Sequence, residues 1–265
     1  MDIGTHLNLS AAPNEKTLTD RMVKATAMAK RLRWFAIPQQ LKGKIVKANI
    51  LPAGLYGVEA AWVNKAALKS LKAAIANALG PRSARASSDM VFVNTTCSGD
   101  LDPEVYILSQ RVQAIRRIIA KYPAKQSKVQ SILGKYLDGN CKHANASNPT
   151  GPVGFLLQSV EQVGGCITPD LRIVKDKEAD IDMLHMQWQH LKKAVIGMAS
   201  NRRAEDFSKQ RSYWKGLKDI DSQMVKKIVN SLGHKEAKVC NHISTGAAWS
   251  EAHLHDTGLS KDSTA

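Results

Sequence analysis

Apolar residues in this chain recur at helical spacing, and that constrains the fold more than any other feature. Leu18, Met22, Ala25, Ala29 and Leu32 step four, three, four, three, so they share one helix face. Thr17-x-x-Asp20 reads as a variant capping box at its start. Leu41, Ile45 and Ala48 begin a second helix, which Pro52 and Gly54 break or kink. Leu68, Leu71, Ile75 and Leu79 give a third, capped by Asn64 and ended by Gly80-Pro81. Val105, Leu108, Val112, Ile115 and Ile119 follow Asp102-Pro103, an N-cap with proline at the first helical position. Residues 125–137, 153–163, 180–199, 202–217, 220–232 and 246–256 also read as helical. Strand signals are confined to Val91-Phe92-Val93 and to 166–175. The expected class is mainly α: a helical bundle followed by a second, smaller helical region with minor β.

Turn formers fill 138–152, with almost no large apolar side chain, and mark a linker. The expected organisation is an extended segment at 1–12, a helical domain at 13–137, the linker at 138–152 and a second helical region at 153–265. Charge follows the same division. Of a net +15, residues 1–89 carry fourteen Lys/Arg against five Asp/Glu, whereas 151–265 carry sixteen against fourteen. A basic half joined to a near-neutral half is the footprint of polyanion binding. On a helix, Lys65, Lys69 and Lys72 fall at i, i+4 and i+7 and form one basic ridge. Arg82 and Arg85 sit in a small-residue loop.

Several chemistries are missing from the sequence. It contains no Walker loop, GxGxxG, GxSxG or HExxH, and no Asp-Asp dipeptide. Asp180-x-Asp182 is one of the closely spaced carboxylate pairs, like Asp100-x-Asp102, but both of its residues are better read as starting a helix, where its dipole favours negative charge. Cys141-x-His143, Cys240-x-His242 and His253-x-His255 lack the closely spaced pairs of a structural zinc site. No metal ligands and no catalytic residues are therefore assigned. Trp34, Trp62, Trp188, Trp214 and Trp249 are expected to pack in the core. No apolar run reaches the ~18 residues of a membrane span. The N-terminus has no signal-peptide pattern, and four Cys without a CxxC pair fit a reducing compartment. An intracellular location, nucleus or cytoplasm, is expected.

Four segments occur in an order that carries a resemblance. They are Asp2-Ile3-Gly4-Thr5-His6-Leu7, then Arg21-Met-Val-Lys24-Ala25, then Ile50-Leu51-Pro52-Ala53-Gly54-Leu55-Tyr56-Gly57-Val58-Glu59, then Arg82 to Arg85. The first resembles the primer grip of non-LTR (LINE-type) retrotransposon reverse transcriptases, which follows the palm in that family. The others resemble its helical thumb: an R-x-x-K-A helix, a P-A-x-x-Y-G-x-E segment and a basic R-x-x-R loop. Residues 1–140 carry this likeness. Gly151-Pro152-Val153-Gly154 with Leu156-Leu157-Gln158, and Gly246-x-x-Trp249 with His253 and Gly258-Leu259, are similar to the connection region beyond the thumb.

The resemblance implies a reverse transcriptase fragment with thumb-type, sequence-independent primer–template binding. Fingers, palm and the F/Y-x-D-D loop are not in this chain. Two-metal nucleotidyl transfer needs those aspartates, so the fragment alone is expected to be catalytically inactive. Mg²⁺ belongs to the complete family enzyme, and no cofactor is assigned to this fragment. The implied partners are an RNA/DNA duplex and the missing fingers–palm region, with no membrane. Candidate phosphate contacts are Arg21, Lys24, Arg31, Lys42, Lys44, Lys47, Lys65, Lys69, Lys72, Arg82 and Arg85. The primer-grip-like residues are Ile3, Gly4, Thr5 and His6. Two alternatives remain open at this point: an unrelated basic α-helical RNA-binding or protein-interaction module, and a metal-dependent nuclease using Asp180 and Asp182.

Overall fold

A computed structural model describes residues 16–81, 83, 86–94, 99–138, 150–174, 181–210 and 222–247. They form a mainly helical protein with one small antiparallel sheet. Helix α1 (Lys16–Leu32) buries the stripe read from the sequence, Leu18, Met22, Ala25, Ala29 and Leu32. It packs along α4 (Lys65–Leu79), whose Leu68, Leu71, Ile75 and Leu79 face it from the same core. The Asn64 side chain accepts the Ala67 N–H at 3.0 Å, the N-cap bond expected there and one that contributes about 1 kcal/mol. Thr17 lies inside α1 rather than at a cap.

Between α1 and α4 the chain runs through α2 (Gln39–Ile45), a π turn (Val46–Ile50) and α3 (Leu51–Gly54) without interruption. Pro52 does not break this run. A proline removes one backbone donor, and the run has already left α register: the Leu51 N–H donates to Val46 O, five residues back. Gly54 then brings α3 hard against α1. A Cβ there would lie 2.5 Å from Ala25 Cβ. Gly57 follows at φ +83°, a left-handed conformation that glycine adopts without steric cost. Gly54→Ala is expected to destabilise the fold by about 1–3 kcal/mol, the usual cost of overpacking. A urea midpoint equal to wild type would contradict the close approach.

Helix α5 (Ser88–Asn94) replaces the strand expected at Val91-Phe92-Val93. All three side chains are buried, so a packed helix and a buried strand present the same apolar run. A 3₁₀ turn (Gly99–Leu101) leads to α6 (Pro103–Lys121), where Asp102 caps by accepting the Glu104 N–H at 2.9 Å. Helices α7 (Lys125–Leu137) and α8 (Gly151–Gln162) follow. Strands β1 (Cys166–Ile167), β2 (Arg172–Val174) and β3 (Ile181–Asp182) pair antiparallel in that order, with Ile173 opposite both Ile167 and Ile181. Asp182 is thus a strand residue, not the helix start read from the sequence. Its Oδ1 accepts the Leu184 and His185 N–H groups and caps the turn after β3. Helix α9 (Trp188–Gln210) is one long helix, and α10 (Ser222–Ser231) and α11 (His234–Ser244) complete the described chain.

Two hydrophobic cores result. The first joins α1 through α5 and takes Ile107 from α6; the second joins α6, α7, α8, the sheet and the first half of α9. They meet on α6, upstream of the expected linker, because α6 is apolar on two sides. Residues 139–149 of that linker lie outside the described residues. Arg111 of α6 fastens the two cores together. It is 2% exposed and donates to Val58 O and Ala61 O on one side, and to Phe155 O and Ser159 Oγ on the other. Burial pushes its pKa down to about 9, against an opposing pull from Glu59. Its four acceptors suit the charged form at neutral pH.

Candidate nucleic-acid interface

Two segments quoted for the resemblance meet in space. Ala25 from the first helix touches Gly54, and Arg21, one turn earlier, reaches Tyr56. Arg21 Nη1 donates to Tyr56 O at 3.0 Å, and its guanidinium lies 5.1 Å from the Tyr56 ring centre. The half-exposed ring and the cation hold each other, so this arginine is a fixture of the wall formed by α1 and α3.

The expected phosphate contacts divide by environment. Lys24, Arg31, Lys44, Lys65 and Lys69 are exposed. Lys47 is exposed at the π turn, with its ammonium 2.8 Å from Asp100. Lys42 is buried and donates to Arg33 O at 3.1 Å, so it ties α2 to the end of α1 rather than facing solvent. Arg82, Arg85, Ile3, Gly4, Thr5 and His6 lie outside the described residues.

Lys72 departs from the ridge expected with Lys65 and Lys69. It is 14% exposed and its ammonium contacts Asp89 at 2.6 Å and Glu104 at 2.9 Å. Arg203 of α9 enters the same cluster, contacting Glu104 at 2.7 Å, Asp89 at 3.4 Å and Asp102 by ion pairing. Its guanidinium also lies 5.9 Å from the Phe92 ring centre. Burial disfavours the Lys72 ammonium, but Asp102, Glu104 and Asp89 outweigh both burial and the Arg203 charge and raise its pKa. Burial likewise opposes ionised Glu104, yet Lys72 and Arg203 hold its carboxyl below the usual range. Asp102 is fully buried, and there desolvation wins over Arg203 and Lys72 and pushes its pKa up. A second cluster sets Asp100 between Lys47 and Lys192 of α9 at 3.1 Å. These clusters are braces between the two cores. Sequence periodicity does not reveal them, since Lys72, Asp89, Glu104 and Arg203 belong to four different helices.

The surface left to α1 through α4 is predominantly basic. Residues 16–79 hold twelve Lys/Arg, of which Lys42 and Lys72 are turned inward, and two carboxylates, Asp20 and Glu59. Trp34, expected in the core, is instead 69% exposed beside Phe35 at 58%, just past α1. Trp62 packs edge-on against Phe155, and Trp188 packs against the second core. Trp214 and Trp249 lie outside the described residues, as do Cys141, His143, Asp180, His253 and His255. Among the described residues no three His, Cys, Asp or Glu side chains converge to hold a metal, and no helix is long and apolar enough to cross a membrane.

Compared with protein-family models, with curated proteins and with solved structures, the chain finds no match in any of the three.

Proposed function

We propose that this chain is the thumb and connection part of a non-LTR-type reverse transcriptase, and that α1 to α4 grip a primer–template duplex by its phosphates without reading bases. The observation that carries this reading is the basic wall. Twelve basic residues stand against two carboxylates within 16–79, and the R-x-x-K-A and P-A-x-x-Y-G-x-E segments pack on each other there. Lys24, Arg31, Lys44, Lys65 and Lys69 are among its exposed cations. Such cations position a protein on a duplex and carry no sequence information. On this reading nucleotidyl transfer belongs to a palm with paired aspartates, not to α1 to α4.

A salt titration of duplex binding tests the reading. Each phosphate contact releases most of a counterion, so Lys65→Glu with Lys69→Glu is expected to flatten the slope of log K against log salt by about 2. Affinity should fall alike for unrelated sequences. Anisotropy measured between low and moderate salt, wild type beside the double variant, decides it. Unchanged affinity and slope would remove these lysines from the interface. Lys72 is left out of the test because its partners are Asp89 and Glu104, and its loss would report on stability instead.

A further inference from the structure

The geometry points to a stacking site for an unpaired nucleobase in the cleft between the end of α1 and α4. The inference rests on the reading of α1 to α4 as a nucleic-acid grip and adds the class of strand that the grip takes: a duplex with a single-stranded tail. The cleft has a volume of about 450 Å³ and is lined on one side by Lys30, Arg33 and Trp34, on the other by Ser70, Ala73 and Asn77. That volume lies within the ~300–1,000 Å³ of small-ligand sites.

Several features favour a base on a phosphate chain. Trp34 presents a large aromatic face at 69% exposure, yet its backbone is held in a turn, with its N–H donating to Arg31 O and the Phe35 N–H to Leu32 O. The main chain that carries the platform is already ordered, so its freedom is not lost again on binding. The Arg33 guanidinium lies 5.4 Å from the Trp34 ring centre and adds a second planar, cationic surface. Opposite it, the α4 side chains are small, and Ser70 and Asn77 carry hydroxyl and amide groups able to hydrogen-bond a base edge. No carboxylate lines the cleft. Lys69 precedes Ser70 and lies one helical turn from Ala73, so the cleft adjoins the exposed cations of α4. Aromatic platforms beside basic tracks are how proteins hold single strands with little sequence preference.

Three duplexes separate this site from the grip itself: one blunt, one with a short thymidine tail, and one with a tail of abasic sugar-phosphates of equal length. The full chain is titrated with each by anisotropy at one salt concentration. The thymidine tail is expected to bind about tenfold tighter than the abasic tail, since base–aromatic stacking has that effect per base. Trp34→Ala should erase the difference and leave the blunt duplex unchanged, while Trp34→Phe should keep most of it. Equal affinity for the two tails, or a preference that survives Trp34→Ala, overturns the stacking site and leaves the duplex grip standing. Failure of all three duplexes to bind overturns both.

Discussion

Arg203→Ala is expected to destabilise the protein by about 3–5 kcal/mol, the usual effect of removing one partner from a buried ion pair. Arg203 is 7% exposed and contacts Asp89, Asp102 and Glu104. Without it, fully buried Asp102 keeps Lys72 as its only nearby cation in the cluster, and three carboxylates face one ammonium. Asp102→Asn is expected to behave differently. Asparagine caps a helix as well as aspartate does, and the swap brings the cluster from two cations against three anions to two against two, so the cost should stay within about 1 kcal/mol. The pH signs agree. The folded pKa of Glu104 is lowered, so its contribution is fully present above its unfolded value near 4.5 and is lost as pH falls through the lower folded value. The folded pKa of Asp102 is raised, so its contribution is present below its unfolded value near 3.8 and is lost as pH rises through the raised folded value. Ionising Asp102 therefore works against stability, whereas ionising Glu104 supports it. Chemical denaturation of the two variants at neutral pH tests this pairing. Asp102→Asn as damaging as Arg203→Ala would mean that the Asp102 charge itself holds the cluster.

Helices with one apolar face were legible in the sequence. The stripe from Leu18 to Leu32, the Asn64 cap and the Asp102-Pro103 start recur in α1, α4 and α6, because period and capping are local properties. The readings that failed depend on what lies across the fold. Val91-Phe92-Val93 reads as a strand from β-branched content, but α5 is buried on both flanks, and burial removes the periodicity that tells helix from strand. Helix α11 falls outside the helical stretches read from the sequence; Val239 and Ile243 share one face of it, yet both stay exposed. Lys72 stands in register with Lys65 and Lys69 along α4, and only distant residues, Asp89, Glu104 and Arg203, turn its charge inward. Hydrophobicity alone places Trp34 in the core. It falls one turn after Lys30, past the last buried position of α1 at Leu32, and so lies outside the packed stripe. Of the interface, the charge surplus was visible in the sequence; which cations remain exposed was not, because partner choice is a tertiary property.

Arg111→Ala is expected to cost about 3–5 kcal/mol and to separate the unfolding of the two cores. The magnitude follows from what the side chain satisfies. Val58 O, Ala61 O and Phe155 O each accept from its guanidinium, and a buried acceptor left without a donor costs about 1–3 kcal/mol, less where water or a shifted neighbour replaces it. The guanidinium also lies 5.3 Å from the Phe155 ring centre, so its removal opens a gap beside that ring. The coupling follows from position. Val58 belongs to the first core, and Phe155 and Ser159 lie on α8 of the second, so one planar fork spans both. Arg111→Lys keeps the charge but offers one compact ammonium in place of a fork of five donors, and should fall between wild type and alanine. Urea unfolding followed by far-ultraviolet circular dichroism and by tryptophan fluorescence tests both parts, since Trp62 contacts Phe155 at this junction. Wild type should give coincident transitions. In Arg111→Ala the two probes should part and the apparent m-value should fall, the mark of lost two-state behaviour. Coincident transitions with an unchanged m-value would show that the shared face of α6, not Arg111, couples the cores.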